Sequence, residues 1–245
     1  DIFREERYYC NHLFRLLCHK KEDGGRNSGL GRFLSLINLP ININMETIAA
    51  AEVYTEFAVF RDFFHYHRNR QEFLVALYDE FLQMIQGQYS GKITNPTPIR
   101  DLLPQLQSIH PRDFSRHLKD TNDDKLFYRE FSALFSVKPD FLLICDELMD
   151  WLEVKFWLSF DYKQLQRTQN IADLCSSDLF ASVFSNRPNR VVKLGTKHHI
   201  HTRHDKDFID WADVAKIAEE LLPHGTNNYT VHALNVLVEM DRRKG

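Results

Sequence analysis

The sequence has few of the residues that mark specialised chains. It contains 9 glycines and 8 prolines among 245 residues, which excludes collagen-like and low-complexity chains. Its 4 cysteines are too few for a disulfide-stapled scaffold, and because none forms a C-x-x-C pair, the pattern does not predict a zinc ribbon. A large chain with few cysteines is typical of a reducing compartment, so we expect an intracellular, cytoplasmic protein.

The sequence also has no long apolar run and no marked excess of charge of either sign. No run approaches the roughly 20 apolar residues that a membrane-spanning helix needs, so we expect no membrane partner. The formal net charge is −3, from 31 basic and 34 acidic residues, so a nucleic-acid partner has to be argued from local patches. There is no P-loop, dinucleotide-binding fingerprint or G-x-S-x-G motif. The composition, 43% hydrophobic and 27% charged, is that of an ordinary globular protein.

Hydrophobic periodicity divides the chain into a helical first part and an α/β second part. We predict an α/β fold, in which a mainly helical region (1–110) precedes a small mixed β-sheet flanked by helices (111–245). The first helix of the helical region can contribute to the α/β core. The predicted helices cover 1–21, most of 45–86, 126–135, 161–184, 208–222 and a short stretch after 229. The predicted strands cover 141–145, 148–160 and 190–196, and the Gly- and Pro-rich stretch 87–111 is predicted to be an irregular connection.

Two carboxylates and a lysine are placed around the first two predicted strands. Asp140 directly precedes the apolar strand 141–145, and Glu153 and Lys155 lie in the next, alternating strand. Residues two apart on a strand share a face, and a hairpin would bring Asp140 and Glu153 together. Two converging carboxylates suit a hard cation such as Mg²⁺. Lys155 would then lie beside the metal-bound water, where a cation can orient that water or stabilise charge on a phosphate.

At these positions the chain resembles the PD-(D/E)XK nuclease superfamily. The matching residues are Pro139-Asp140 and, after a strand, Glu153-Val154-Lys155. The core of that family runs helix, antiparallel strand group, helix and further strand, and the predicted elements follow this order. The resemblance implies a restriction-endonuclease-like core with Asp140 and Glu153 as metal ligands and Lys155 as the catalytic lysine.

The resemblance also implies an activity and its partners. We expect a Mg²⁺-dependent endonuclease, with Mn²⁺ able to substitute, that hydrolyses phosphodiester bonds. Its substrate would be a nucleic acid, DNA rather than RNA, in a restriction or defence setting. Cleavage of both strands of a duplex would suit a homodimer or a larger complex.

Many members of the superfamily add a glutamate from the first core helix and a glutamine from the helix after the lysine strand. Glu6 lies within the apolar arc of the first helix, where a carboxylate is costly unless it is paired or bound to metal. Glu130 is the alternative, because it is closer in sequence to Asp140. Gln164 is in phase with the apolar residues of its helix, whereas Gln166 points elsewhere. The strand that usually precedes the Asp-bearing one in this family is not placed by the sequence pattern.

The most basic stretch of the chain follows the predicted active-site strands. It could neutralise phosphates of a bound nucleic acid, or it could be a solvated charge run. Its four histidines between His198 and His204 could alternatively hold a transition metal or lie in a solvated loop. The predicted nucleic-acid contacts are Arg187, Arg190, Lys193, Lys197, His199, His201 and Arg203.

Simpler interpretations exist for each of these motifs. Glu153 and Lys155 could be an exposed ion pair, and Pro139-Asp140 could be a turn. The aromatic and cationic stretch 63–70 (FFHYHRNR) is typical of nucleic-acid binding, but we expect its Phe and Tyr residues to be core and the rest to cap a helix end. The alternative function is a non-catalytic nucleic-acid or protein-interaction module that keeps a nuclease-like fold.

Overall fold

The computed structural model describes residues 2–19, 28–37, 51–88, 97–117, 125–145, 148–156, 159–184, 187–196, 206–222 and 228–243. The chain divides into two units, each built from separate stretches. We call them the sheet unit (Asp1–Thr55, Pro139–Leu165 and Arg187–Gly245) and the helical unit (Glu56–Lys138 and Gln166–Asn186). The sequence-based division, by contrast, has one boundary near residue 110.

The helices and strands alternate irregularly along the chain. In order they are α1 (Ile2–Leu17), α2 (Gly29–Leu36), β1 (Glu52–Thr55), α3 (Val59–Tyr66), α4 (Arg70–Gln88), α5 (Thr97–Leu106), a 3-10 turn (Pro111–Asp113), α6 (Phe114–His117), α7 (Lys125–Ala133), β2 (Phe141–Cys145), β3 (Leu148–Val154), α8 (Tyr162–Cys175), a 3-10 turn (Asp178–Phe180), α9 (Ala181–Phe184), β4 (Asn189–Gly195), β5 (Phe208–Asp210), α10 (Trp211–Leu221) and α11 (Tyr229–Arg242). Among the described helices, none combines the length and apolarity needed to cross a bilayer.

The five strands form one mixed sheet in the order β1-β2-β3-β4-β5. The pairs β1–β2 and β2–β3 are antiparallel, whereas the pairs β3–β4 and β4–β5 are parallel. A parallel pair needs a crossover connection, which α8 begins after β3. The predicted fold class is therefore confirmed: a mixed α/β chain in which helices flank a small mixed sheet.

One face of the sheet carries the core of the sheet unit. Strand partners share a face, so Leu143 of β2, Leu152 of β3 and Val192 of β4 belong to the same layer. The amphipathic helices α1, α2, α10 and α11 contribute their apolar sides to this layer. Ring stacking adds to the packing, since the rings of Phe156 and Trp211 lie 4.7 Å apart, centre to centre, at 24°.

The helical unit is held together by aromatic side chains. The chain contains 19 phenylalanines, and many of those in the helical unit are fully buried. Phe131 illustrates the packing, with ring centres 5.7 Å from Phe135, 5.9 Å from Phe81 and 5.9 Å from Tyr78. Such rings bury large apolar areas and favour edge-to-face contacts, which gives this unit a core of its own.

Several predicted elements need correction. Residues 52–55 lie within a predicted helical run but form β1, because pairing with β2 overrides the local propensity of the preceding alanines. Residues 97–106, predicted to be irregular, form α5; Pro98 lies in its first turn, where the missing N–H is tolerated, and Pro104 lies inside the helix. The strand predicted over 148–160 ends at Val154, and α2 and β5 were not predicted.

Candidate active site

Asp140 is fixed at the beginning of β2 by the backbone of β3. At the beginning of β2, Phe141 pairs with Leu152, so the preceding residue, Asp140, lies opposite Glu153. Because β2 begins at Phe141, Asp140 itself is not part of the β2–β3 ladder. Instead, the Val154 N–H donates a hydrogen bond of 2.7 Å to Asp140 Oδ2. The two acidic residues predicted from the sequence are therefore neighbours at one end of the β2–β3 ladder.

Glu153 is a buried carboxylate held by the crossover helix. Its exposed fraction is 0%, and Gln164 Nε2, in the first turn of α8, donates a hydrogen bond of 2.6 Å to its Oε2. A buried carboxylate is costly unless it is hydrogen-bonded, paired or bound to metal. The interpretation of Glu153 as part of an exposed surface ion pair is therefore wrong, and the predicted Gln164 lies beside it.

Lys155 follows directly after β3 and is fixed through its backbone. Its N–H donates to the Leu194 carbonyl at 2.8 Å, and its carbonyl accepts from Trp211 Nε1 at 3.1 Å. The hydrogen bond to Leu194 continues the β3–β4 ladder by one residue, so Lys155 keeps the face of Glu153. The side chain is partly exposed, which suits a cation that has to meet a ligand.

Lys193 lies next to Glu153 on the neighbouring strand. The parallel register pairs these two residues, so their side chains are on the same face of the sheet. Lys193 is partly exposed, and its N–H donates to the Asp207 carbonyl at 2.7 Å. Two lysines, 155 and 193, thus accompany the carboxylate of Glu153 on this face.

Asp140 and Glu153 are the site residues that could hold a divalent cation. Among the described residues, no group of three His, Cys, Asp or Glu side chains is arranged to hold a metal ion. Mg²⁺ commonly uses one or two carboxylates and takes its other ligands from water and substrate phosphates. Asp140 and the buried Glu153 meet that requirement. Glu6 lies in α1, but its side chain is outside the described part of the structure.

Comparison with known proteins gives no match. No family model, no curated protein and no solved structure matches this chain. The assignment of a function therefore depends on the geometry of the site and on the order of the elements around it.

Glu130 has a different environment from the one that a metal ligand requires. It is buried in the helical unit, where Arg167 Nε and Nη2 donate to its two oxygens at 2.7 and 3.1 Å and Arg129 Nε donates at 2.9 Å. Burial by itself raises the pKa of Glu130, but the hydrogen bonds from Arg167 and Arg129 outweigh it and hold the pKa below its ordinary value. These contacts describe a structural ion pair. The other alternative, Gln166, bonds Asn170 through its side chain at 3.1 Å.

The predicted nucleic-acid contacts divide into two groups. Arg187, Arg190 and Lys193 are described and partly buried. Arg190 forms a bidentate ion pair with Asp150, in which Nε lies 2.6 Å from Oδ1 and Nη2 lies 3.1 Å from Oδ2. The structure does not describe the other four predicted contacts, which are Lys197, His199, His201 and Arg203. The whole histidine run 198–204 also lies outside the described residues.

Asp150 is a buried residue that the sequence analysis did not single out. Its exposed fraction is 0% in the middle of the sheet, and burial raises its pKa, opposed by the hydrogen bond from Arg190. A lone Asp among the apolar residues of a strand is a signal that could have found it. Its partner at the beginning of β4 was 40 residues away and could not be chosen among the basic residues by spacing.

Proposed function

We propose that this protein is a metal-dependent endonuclease that hydrolyses phosphodiester bonds in DNA. The observation that carries the proposal is the placement of Asp140 and Glu153 as neighbours, one held by a β3 amide and the other by Gln164. Lys155 follows on the face of Glu153. A buried acid beside a second acid and a lysine is an arrangement that a solvated ion pair does not explain.

The order of elements around these residues supports the same proposal. Helix α1, the antiparallel strands β1 to β3, helix α8 and the parallel strand β4 follow one another as the PD-(D/E)XK resemblance implies. Strand β1 (Glu52–Thr55) precedes β2 in the chain and pairs with it, which supports the proposal because the resemblance implies a strand before the Asp-bearing one. The stretch Glu56–Lys138 of the helical unit is inserted between β1 and β2.

Each residue of the site has a separate task in the proposed reaction. Asp140 and Glu153 would hold Mg²⁺, or Mn²⁺ in its place, and the ion would lower the pKa of a bound water and stabilise charge on the phosphate. Gln164 orients the Glu153 carboxylate through its amide. Lys155 places a positive charge where it can orient the attacking water and offset the charge that develops on the phosphoryl oxygens.

A non-catalytic binding module with the same fold is the second candidate. The observation in its favour is that two carboxylates, rather than three ligands, are found together in the described residues. Such a module would bind nucleic acid or protein without cleavage and would need neither Glu153 nor Lys155 for binding.

Cleavage assays separate the two candidates. Supercoiled plasmid, single-stranded DNA and RNA are incubated with the wild-type protein in Mg²⁺, Mn²⁺ or EDTA. We expect nicking of DNA that requires the metal and that falls at least about 100-fold in Glu153→Gln and in Lys155→Ala, because each removes a group acting on the reacting atoms. The exposed-residue variants Glu239→Gln and Lys163→Ala are matched controls and should retain the wild-type rate.

Metal binding, measured as the change in thermal stability on adding Mg²⁺ or Mn²⁺, completes the test of the nuclease proposal. Wild-type protein that cleaves none of the three substrates and whose thermal stability is unchanged by Mg²⁺ or Mn²⁺ would overturn the nuclease proposal. Cleavage that survives in Glu153→Gln would overturn the site instead. RNA cleaved in preference to DNA would keep the chemistry and correct the substrate.

A further inference from the structure

We propose that the helical unit has an anion site, which binds phosphate groups of single-stranded nucleic acid at a cluster formed by Arg61, His65, Arg70 and His110. We call this set the cationic cluster. The inference extends the proposed function, since nucleic acid is the substrate class proposed above, but binding at this cluster requires no cleavage.

The cluster is assembled from three stretches of the helical unit. Arg61 and His65 are one turn apart on α3, so they lie on the same side of the helix. The His65 and His110 rings are 5.0 Å apart, centre to centre. At the beginning of α4, Arg70 donates to the His65 carbonyl at 3.4 Å, and its guanidinium lies 5.1 Å from the centre of the Phe64 ring.

Positive charge dominates the surroundings of His65. Burial lowers the pKa of His65, and His110, Arg70 and Arg61 lower it further, while the nearby carboxylate of Asp62 opposes them. Asp62 already forms an ion pair with Arg61, at 3.1 Å from its Nε. The two arginines, Arg61 and Arg70, thus outweigh one carboxylate beside His65, and a bound anion would be stabilised there.

Exposed aromatic and cationic residues next to the cluster favour a nucleic acid over other phosphate ligands. The sequence analysis expected the aromatic residues of 63–70 to be core, and Phe64 is buried, but Tyr66 is 88% exposed. Arg68 is exposed as well. Tyr66 directly follows His65 in the chain, and its exposed ring offers a stacking surface for an unpaired base, which neither a free phosphate nor a phosphorylated side chain would use.

Binding in the absence of metal tests the proposal independently of cleavage. The full chain carrying Glu153→Gln is titrated in EDTA against a fluorescently labelled single-stranded DNA, and the dissociation constant is measured between 50 and 200 mM salt. The test variant is Arg61→Ala/Arg70→Ala. The matched control is Lys216→Ala/Arg242→Ala, which removes two exposed cations from the sheet unit.

The test variant is expected to bind at least about tenfold more weakly, with the slope of log affinity against log salt reduced by about 1.4, because two phosphate contacts are lost. The control should stay within about twofold of its parent. Tyr66→Ala should weaken binding to the single strand while leaving the salt slope unchanged, since stacking releases no counterions.

Histidine variants keep the test valid if the loss of Arg70 disturbs the fold. The affinity of the parent should increase as the pH falls from 8 to 6, because the anion favours the protonated form of His65, whose pKa is lowered by burial, His110, Arg70 and Arg61 and raised by Asp62. His65→Gln/His110→Gln should lose that pH dependence and keep its thermal stability.

Two results would overturn the inference. One is equal affinity and salt slope for the test and control variants. The other is binding to a phosphopeptide that competes fully with DNA and is insensitive to Tyr66→Ala. Cluster-dependent binding without any metal-dependent cleavage would support this inference while contradicting the proposed nuclease.

Discussion

The side-chain amide of Gln164 donates a hydrogen bond of 2.6 Å to Glu153 Oε2, which joins the first turn of α8 to strand β3. The helix that carries the chain from β3 towards β4 therefore also sets the orientation of the buried carboxylate. A glutamine can donate to an ionised acid without adding charge of its own, so Glu153 can stay available for a cation.

Placing a second carboxylate at position 164 should make the stability of the protein depend on pH and on metal. In Gln164→Glu two acids face each other, so one of them has a raised pKa in the folded state. The deficit in stability should be largest at neutral pH and should shrink as the pH falls, because the folded state then takes up a proton. Mg²⁺ should raise the melting temperature of this variant more than that of the wild type. Gln166→Glu is the control, and equal Mg²⁺ shifts in both variants would argue against a shared cation site.

Glu130 should stabilise the helical unit without any part in cleavage. Its pKa is lowered in the folded state, so its contribution is present above the ordinary value of 4.5 and is lost as the pH falls through the folded value. Glu130→Gln should reduce the free energy of unfolding by about 1–3 kcal/mol at pH 7, with the difference from wild type narrowing in acid. Urea unfolding at several pH values measures this. A loss of cleavage by fully folded Glu130→Gln would return Glu130 to the list of catalytic candidates.

The Asp150–Arg190 pair should act on stability rather than on nucleic-acid binding. Asp150→Ala leaves a partly buried guanidinium without its carboxylate and should cost about 3–5 kcal/mol of unfolding free energy. Asp150→Met/Arg190→Met should recover most of that loss, because apolar pairs often replace buried ion pairs at little cost. In the DNA titration, the double variant should keep the salt slope of its parent. A reduced slope with unchanged stability would instead make Arg190 a phosphate contact.

Gly29 is required where α2 approaches the end of α1. A Cβ at this position would overlap the backbone carbonyl oxygen of Leu16. Gly29→Ala should therefore force the two helices apart and lower the free energy of unfolding by about 1–3 kcal/mol or more. Ser35→Ala, an exposed change in the same helix, should stay within about 0.5 kcal/mol of wild type. Thermal unfolding of the two variants side by side would show whether this close approach limits stability.

Local patterns predicted much of the fold, while pairings between distant residues escaped them. The apolar run 141–145 and the periodic helix α4 were recognisable because their own residues determine them. Strand β1 was not, because what makes it a strand is β2, far along the chain. The same distinction applies to the site. The order of Asp140, Glu153 and Lys155 could be read from the sequence, whereas the complete burial of Glu153 depends on packing.

The wide separation of β1 and β2 has a consequence for synthesis of the chain. Thr55 and Phe141 are direct partners in the sheet, yet the stretch of chain between them forms most of the helical unit. At about 5–20 residues per second, β1 leaves the ribosome roughly 4–17 s before β2 does. During that interval β1 lacks β2, the strand with which it pairs in the sheet. The speed of translation across this stretch therefore sets how long the nascent chain offers an open strand to chaperones and to neighbouring chains.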